Sequence, residues 1–380
     1  MTLEANVQRA GHLFRREAGV SRASHVFVVG CSRSGTTLLG RLLGNHSEIF
    51  TFHELHFFED LCNTSDLSSP TAKERALRVL CELFSRQRQG LLVPEREPLG
   101  FRKDAASVLN ESARSQLTLS EIYVSFLKHE TELNQKRIPC EQTPRYVFYI
   151  GDILSTLPNA RIVNLVRDPR SVALSQKYKW RLHKLAGGTG RPIKRFEKWR
   201  AWMNYHPITI ARLWASAVVA GSSFSRDDRV LAIKYEDLLK APEAVIRRIC
   251  DFLGIDFERT MLEARMEGSS STLSDASVVG IDSSRLSPWS EGGLSAAEIQ
   301  LVERYARREM ADAGYPLSHL KGSAFAKLGW LAYWPVHLVL ALLLNLRRAR
   351  NLTDAIKRRL GTPKLWNASC DTANERSEQR

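Results

Sequence analysis

Paired cysteines are missing from this 380-residue chain. Its six cysteines, at 31, 62, 81, 140, 250 and 370, stand far apart with no CxxC pair. That spacing shows neither a disulfide framework nor a thiolate metal site and points to reduced thiols. The ten histidines form no HExxH or similar cluster, so no metal is expected. The first 24 residues, MTLEANVQRAGHLFRREAGVSRAS, lack the apolar core of a signal peptide. A cytoplasmic protein is therefore expected, and the Asn-x-Ser/Thr triplets at Asn63, Asn110, Asn351 and Asn367 read as chance. Acidic charge is also short: 55 Lys+Arg against 41 Asp+Glu leave a net +14. Such a field attracts nucleic acid, anionic head groups or a polyanionic small ligand. The basic residues are dispersed and no nucleic-acid-binding motif occurs, which argues against nucleic acid.

What is present begins with HVFVVG (25–30), an apolar run that reads as a buried strand. It leads into GCSRSGTT (30–37), and leucines at helical spacing follow until the glycine of LLGN. The two glycines keep the spacing of a phosphate loop, whose backbone N–H groups and following helix N-terminus cradle an anion. The lysine slot after the second glycine holds Thr36, and Arg33 stands inside the loop instead. Arginine offers a permanently charged fork where lysine offers a point charge. No later strand ends in an aspartate suited to magnesium. Together these absences argue against phosphoryl transfer from ATP, the kinase-like alternative.

RIVNLVRDPR (161–170) is a second buried strand with a charged turn, and SVALSQKYKWR starts the next helix. RVLAIKYEDLL (229–239) reads as a third strand running into a turn. Amphipathic helices are expected over 5–18, 71–89 and 118–135, a last long helix over 294–315, and helical structure over 196–220 with Trp199, Trp202 and Trp214 on or near one face. Alternating strands and helices predict an α/β fold, a parallel sheet of about five strands flanked by helices. Both strand ends would open on the C-terminal edge of the sheet, where such folds bind ligands. Arg167 and Ser175 there can hold a second phosphate, so the residues suggest a nucleotide with phosphates at both ends.

GCSRSGTTLLGRLLGNH followed by RIVNLVRDPRSVALS resembles the two cofactor signatures of the sulfotransferases that use 3′-phosphoadenosine 5′-phosphosulfate (PAPS), nearest the tyrosylprotein-sulfotransferase-like and bacterial branch. The resemblance covers about residues 25–315 and implies a P-loop-like sulfotransferase fold. It implies that Arg33, Ser34, Gly35, Thr36 and Thr37 hold the 5′-phosphosulfate, and that Arg167 and Ser175 hold the 3′-phosphate with Lys179 as a helper. Tyr235 would lie near the adenosine, and Ser277 and Arg285 in a loop closing over the cofactor. Sulfuryl transfer needs a base for the acceptor's proton and cations at the bridging oxygen, and no metal. In IFTFHELHFFED, His53, Glu54, His56 and Glu59 crowd together. The resemblance favours Glu54 as base, 21 positions after Arg33; His53 has the more suitable unperturbed pKa. Arg33 would stabilise the transferring group. In EQTPR (141–145) Gln142 stands where the family often has a lysine, which removes a charge from the leaving phosphate. A catalytically weak PAPS-binding module is the alternative that this substitution supports.

Residues 328–346, LGWLAYWPVHLVLALLLNL, carry no formal charge and are long enough to span a membrane. Pro335 and His337 interrupt them, and Lys/Arg flank both ends, which fits a segment lying in the interface better than a span. The expected division is an N-terminal helical extension (1–23), a sulfotransferase domain (24–320), an apolar membrane-associated segment (321–350) and a polar tail (351–380). The expected acceptor is a hydroxyl on a glycan, lipid-linked or other membrane-proximal substrate, with a soluble alcohol or phenol as the alternative.

Overall fold

The structure is a computed structural model and describes residues 22–63, 66–90, 98–111, 117–181, 195–263 and 288–345, together with 356 and 359. The helix expected at 5–18 and the loop with Ser277 and Arg285 lie outside the described residues. The strands are β1 (His25–Gly30), β2 (Ile49–Thr51), β3 (Pro70–Thr71), β4 (Leu117–Thr118), β5 (Ile138–Glu141), β6 (Ala160–Val166) and β7 (Val230–Lys234). Five of them form one parallel sheet in the order β2-β5-β1-β6-β7, as the alternation of elements predicted; β3 and β4 make a separate antiparallel pair. Strands β2 and β5 escaped the sequence reading because each is short and neither alternates clearly in polarity.

The α-helices in chain order are α1 (Thr36–Gly44), α2 (Lys73–Gln89), α3 (Arg102–Asn110), α4 (Leu119–Leu133), α5 (Ile150–Thr156), α6 (Pro169–Lys177), α7 (Arg195–Met203), α8 (Pro207–Ser222), α9 (Tyr235–Lys240), α10 (Pro242–Leu253), α11 (Ala296–Tyr305), α12 (Arg307–Asp312) and α13 (Ala324–Asn345). Alternate residues of β1 serve opposite faces. Val26 and Val28 pack with Leu39, Leu42 and Leu43 of α1, whereas Phe27 and Val29 pack with Leu80 and Phe84 of α2 and Phe126 of α4. Burial on both faces explains why β1 reads as a continuous apolar run and β6 is mostly apolar.

The chain leaves β1 through α1 towards β2, while β6 leads through α6 and α8 to β7 on the opposite edge. Gly30 and Leu165 are register partners, so the two strands end side by side. Two neighbouring strands whose connections depart in opposite directions leave a crevice at their C-terminal ends. The loops at 30–35 and 167–168 flank that crevice.

The helical stretch expected over 196–220 forms two helices, α7 and α8, broken at His206–Pro207. Pro207 disfavours helical backbone at His206, which is extended (φ −154°) and caps α8 by accepting from Ile208 N. The three tryptophans consequently part: Trp214 is fully buried, while Trp199 and Trp202 are exposed. Helix α13 starts earlier than the apolar run and is long and apolar enough to cross a membrane by length and composition.

Candidate active site

The loop after β1 turns through two left-handed residues. Gly35 (φ +97°) is the N-cap of α1, and Arg33 (φ +77°) holds a conformation unusual for a residue with a side chain. A Cβ on Gly35 would stand 2.3 Å from the Tyr235 ring, so glycine is required both by φ and by space. The arginine's strained backbone aims its side chain across the crevice: Arg33 Nε donates to Ser175 Oγ at 3.0 Å. Arg167, at the end of β6, donates from Nη1 to the carbonyl of Arg33 at 3.2 Å and lies 4.3 Å from the Tyr235 ring centroid. Trp214 Nε1 donates to the Arg167 carbonyl at 2.8 Å and fixes this turn from beneath.

Arg33, Gly35, Arg167, Ser175 and Tyr235 thus meet at the mouth of the crevice, from four separate stretches of chain. Burial first, and the charge of Arg167 second, push the Arg33 guanidinium below its ordinary value. Two cations drawn together in a partly buried place call for an anion. Arg167 Nε is buried with no hydrogen-bond partner among the described residues, which is the state of a donor built to meet a ligand. The arrangement fits a phosphorylated nucleotide. Arg170, the other arginine of RDPR, is absorbed structurally: it is buried, paired with Asp168 at 2.7 Å and Glu303 at 2.8 Å, and stacked on Trp289.

Ser34 is placed differently from its loop neighbours. It is fully buried beside a small cavity lined by Asn164 and Trp214, and its hydroxyl has no partner there. Thr36 is buried at the first turn of α1, and Thr37 is half-buried.

On the other side of the crevice, the segment after β2 carries a cluster of titratable groups. Glu54 is 42% exposed and accepts from His56 Nε2 at 3.2 Å, while His56 Nδ1 lies 2.8 Å from Glu59 Oε2. Arg145 caps the chain, its Nε 3.0 Å from Glu59 Oε1. Burial alone would push His56 down, yet the hydrogen bonds and charges of the two carboxylates push it up to about 10. That direction favours the imidazolium form at neutral pH. Desolvation raises the Glu54 carboxyl, but the His56 bond and the charges of His56, Lys179 and Arg33 outweigh it, and the net direction is downward. Lys179 acts on Glu54 from the first turn after α6.

His53 is half-buried, its backbone N–H held by Gln87 Oε1 at 2.9 Å. Burial, then Arg41, push its imidazole down. The backbone carrying these groups is pinned by the EQTPR stretch. Glu141, buried, accepts from Leu55 N and Thr143 N at 3.1 Å each. Thr143 Oγ1 in turn accepts from Leu55 N at 3.1 Å. Gln142 lies against Gly40 of α1, its Oε1 buried without a partner among the described residues. Sequence reading saw His56 and Glu59 in the cluster but gave them no role. The bridge depends on His56 adopting φ +50°, which no residue pattern announces.

Fold and site together define an α/β protein of phosphate-loop type, with an arginine inside the loop and a carboxylate–histidine cluster across from it. Residues 25–259 match the sequence model of the sulfotransferase family, and the chain belongs to that family. It is 25% identical over 238 residues to an uncharacterized protein of Aquifex aeolicus, covering 63% of this chain and 26% of that one. With carbohydrate sulfotransferase 1 of Mus musculus the identity is 24% over 285 residues, covering 63% and 66% of the two chains. The chain thus spans about a quarter of the first relative's length and just under two thirds of the second's. A solved sulfotransferase domain from the curacin biosynthetic pathway is similar at 21% identity, covering 78% of this chain and all of that one with a TM-score of 0.46.

Proposed function

We propose that the protein transfers a sulfuryl group from PAPS to an acceptor hydroxyl. Arg33 and the N-terminus of α1 would hold the 5′-phosphosulfate, with Gly35, Thr36 and Thr37 shaping and lining that end. Arg167 and Ser175 would hold the 3′-phosphate, and Tyr235, stacked under Arg167, the adenosine side. Glu54 would take the acceptor proton as the acceptor oxygen bonds to sulfur and the sulfur–oxygen bond to the 5′-phosphate breaks. That Arg33 and Lys179 act on the Glu54 carboxylate supports this assignment over His53, on which the foremost charge is Arg41. Lys179 lies on the Glu54 side, where it would stabilise charge at the transferring group and cover part of the charge that Gln142 lacks.

The acceptor that suits the apolar α13 best is membrane-proximal, a glycan or lipid-linked hydroxyl. The observation that carries the reading is the convergence of Arg33 and Arg167 on one crevice with a buried donor, Arg167 Nε, left unmatched. Calorimetric titration with 3′,5′-bisphosphoadenosine and with ATP–magnesium tests it. Micromolar binding of the bisphosphate, lost in Arg33→Ala, and indifference to ATP are expected; preference for ATP–magnesium would refute it. Tight binding with no turnover of any acceptor would favour the binding-module reading that Gln142 supports.

A further inference from the structure

Helix α13 docks on the domain along one stripe and leaves the other bare. Its inner side is Trp330, Trp334, His337, Ala341 and Asn345, spaced four, three, four and four apart. The Trp330 carbonyl meets His206 Nε2 at 3.0 Å, Trp334 Nε1 donates to Thr209 Oγ1 at 3.2 Å, and Arg212 lies over the Trp334 ring at 4.6 Å. His337 is fully buried with its ring 4.9 Å from that of His206. Asn345 accepts from Arg200 Nη1 at 2.7 Å and donates to Asn204 Oδ1 at 2.8 Å. From Trp330 to Asn345 these contacts run about 22 Å at 1.5 Å per residue. A helix held to a soluble domain over that length cannot also be surrounded by hydrocarbon.

The outer stripe is apolar and exposed: Phe325, Leu328, Val336, Val339 and Leu343 range from 54% to 88% accessible. Helix α7, tied to α13 through Arg200, adds Phe196, Trp199 and Trp202, all exposed. Such a large apolar surface is a binding site rather than ordinary exterior. Its charge names the occupant. Residues 328–346 carry none, Lys321 and Lys327 stand at one end, Arg347, Arg348 and Arg350 follow the other in sequence, and the chain is +14 overall. Apolar and tryptophan side chains framed by cations match an anionic lipid surface.

We propose that α13 and α7 together form one face that lies flat on an anionic bilayer, with the outer stripe of α13 and the α7 tryptophans in the head-group and upper acyl region. This deepens the membrane-proximal reading and rests on it only for the acceptor. The protein docks without spanning, so the crevice stays in the aqueous phase next to the membrane.

The test is co-sedimentation of the full chain with phosphatidylcholine vesicles, with and without phosphatidylglycerol. Two variants are compared, Trp199→Ser/Trp202→Ser on α7 and Val336→Ser/Val339→Ser/Leu343→Ser on α13. Retained bisphosphonucleotide binding confirms that each is folded. Binding to the anionic vesicles is expected, released by alkaline carbonate, and weakened at least tenfold by either variant. Full affinity in the α7 variant would overturn the composite face. Resistance to carbonate would overturn the flat orientation. Self-association that both variants abolish, with no vesicle binding, would assign the face to a second copy and overturn the proposal. Vesicle binding as expected with no turnover of a lipid-linked hydroxyl would leave the face standing and refute the acceptor reading instead.

Discussion

Replacing His56 with glutamine takes a positive charge from between two carboxylates. Glu54 and Glu59 together lift the imidazole from an ordinary 6.5 to about 10, against the opposing effect of burial. At about 1.4 kcal/mol per pH unit, that interval sets a ceiling of roughly 5 kcal/mol on what the charged bridge contributes. Glu54 is 42% exposed, so solvent screens its half of the bridge, and about 2 kcal/mol near pH 7 is the realistic size. A group whose pKa rises on folding contributes fully below its unfolded value and loses that contribution as pH climbs through the folded one. The wild type should therefore exceed His56→Gln by about 2 kcal/mol at pH 6.5, and the gap should close towards pH 10. Urea midpoints for both proteins at pH 6, 7.5 and 9.5 measure it. The same variant frees Glu54 from the strongest influence lowering its carboxyl, so the acid limb of kcat/KM should move to higher pH. A stability gap that stays constant from pH 6 to 9.5, with an unmoved acid limb, would refute both the bridge and its hold on Glu54.

Gly35→Ala should cost about 1–3 kcal/mol, because φ +97° and the Tyr235 ring at 2.3 Å both oppose a methyl group. It should weaken bisphosphonucleotide affinity as Tyr235 shifts under Arg167; unchanged calorimetry and melting would contradict the packing. His206, at the start of α8, and His337 of α13 face one another, with Arg359 as a further charge acting on His337. Burial pushes both imidazoles down to about 4. Detached, each would accept a proton near 6.5, so docking of α13 should be intact above that pH and weaken as pH falls from 6.5 towards 4. Tryptophan fluorescence and limited proteolysis across that range should report the release, and His337→Leu should blunt it. Tight docking at pH 4.5 would show that the pair does not titrate as its burial requires.

Much of the site could be read in the chain because its recognition elements are local. A glycine-spaced turn after an apolar run is legible from the backbone pattern alone, and RDPR after a second buried strand places a cation at its end. The parallel sheet followed from alternating elements, whose crossovers require it. Matters that depend on distant residues meeting were not legible. Strands β2 and β5 are three and four residues long and acquire their identity from hydrogen bonds to neighbours. The split of 196–220 separated Trp214, buried beneath Arg167, from two tryptophans left on the surface.

The sequence by itself determined the glycine-spaced loop, the second cationic turn, the acidic–histidine cluster and the apolar C-terminal run, since each is a pattern of neighbours along one stretch. Tertiary structure alone decided that Arg33 reaches Ser175, that His56 bridges Glu54 to Glu59 while Arg145 closes the far end, and that α13 presents only one stripe outward. Those outcomes arise from side chains far apart in the chain sharing buried space, where charge and packing select one partner among several that composition would allow.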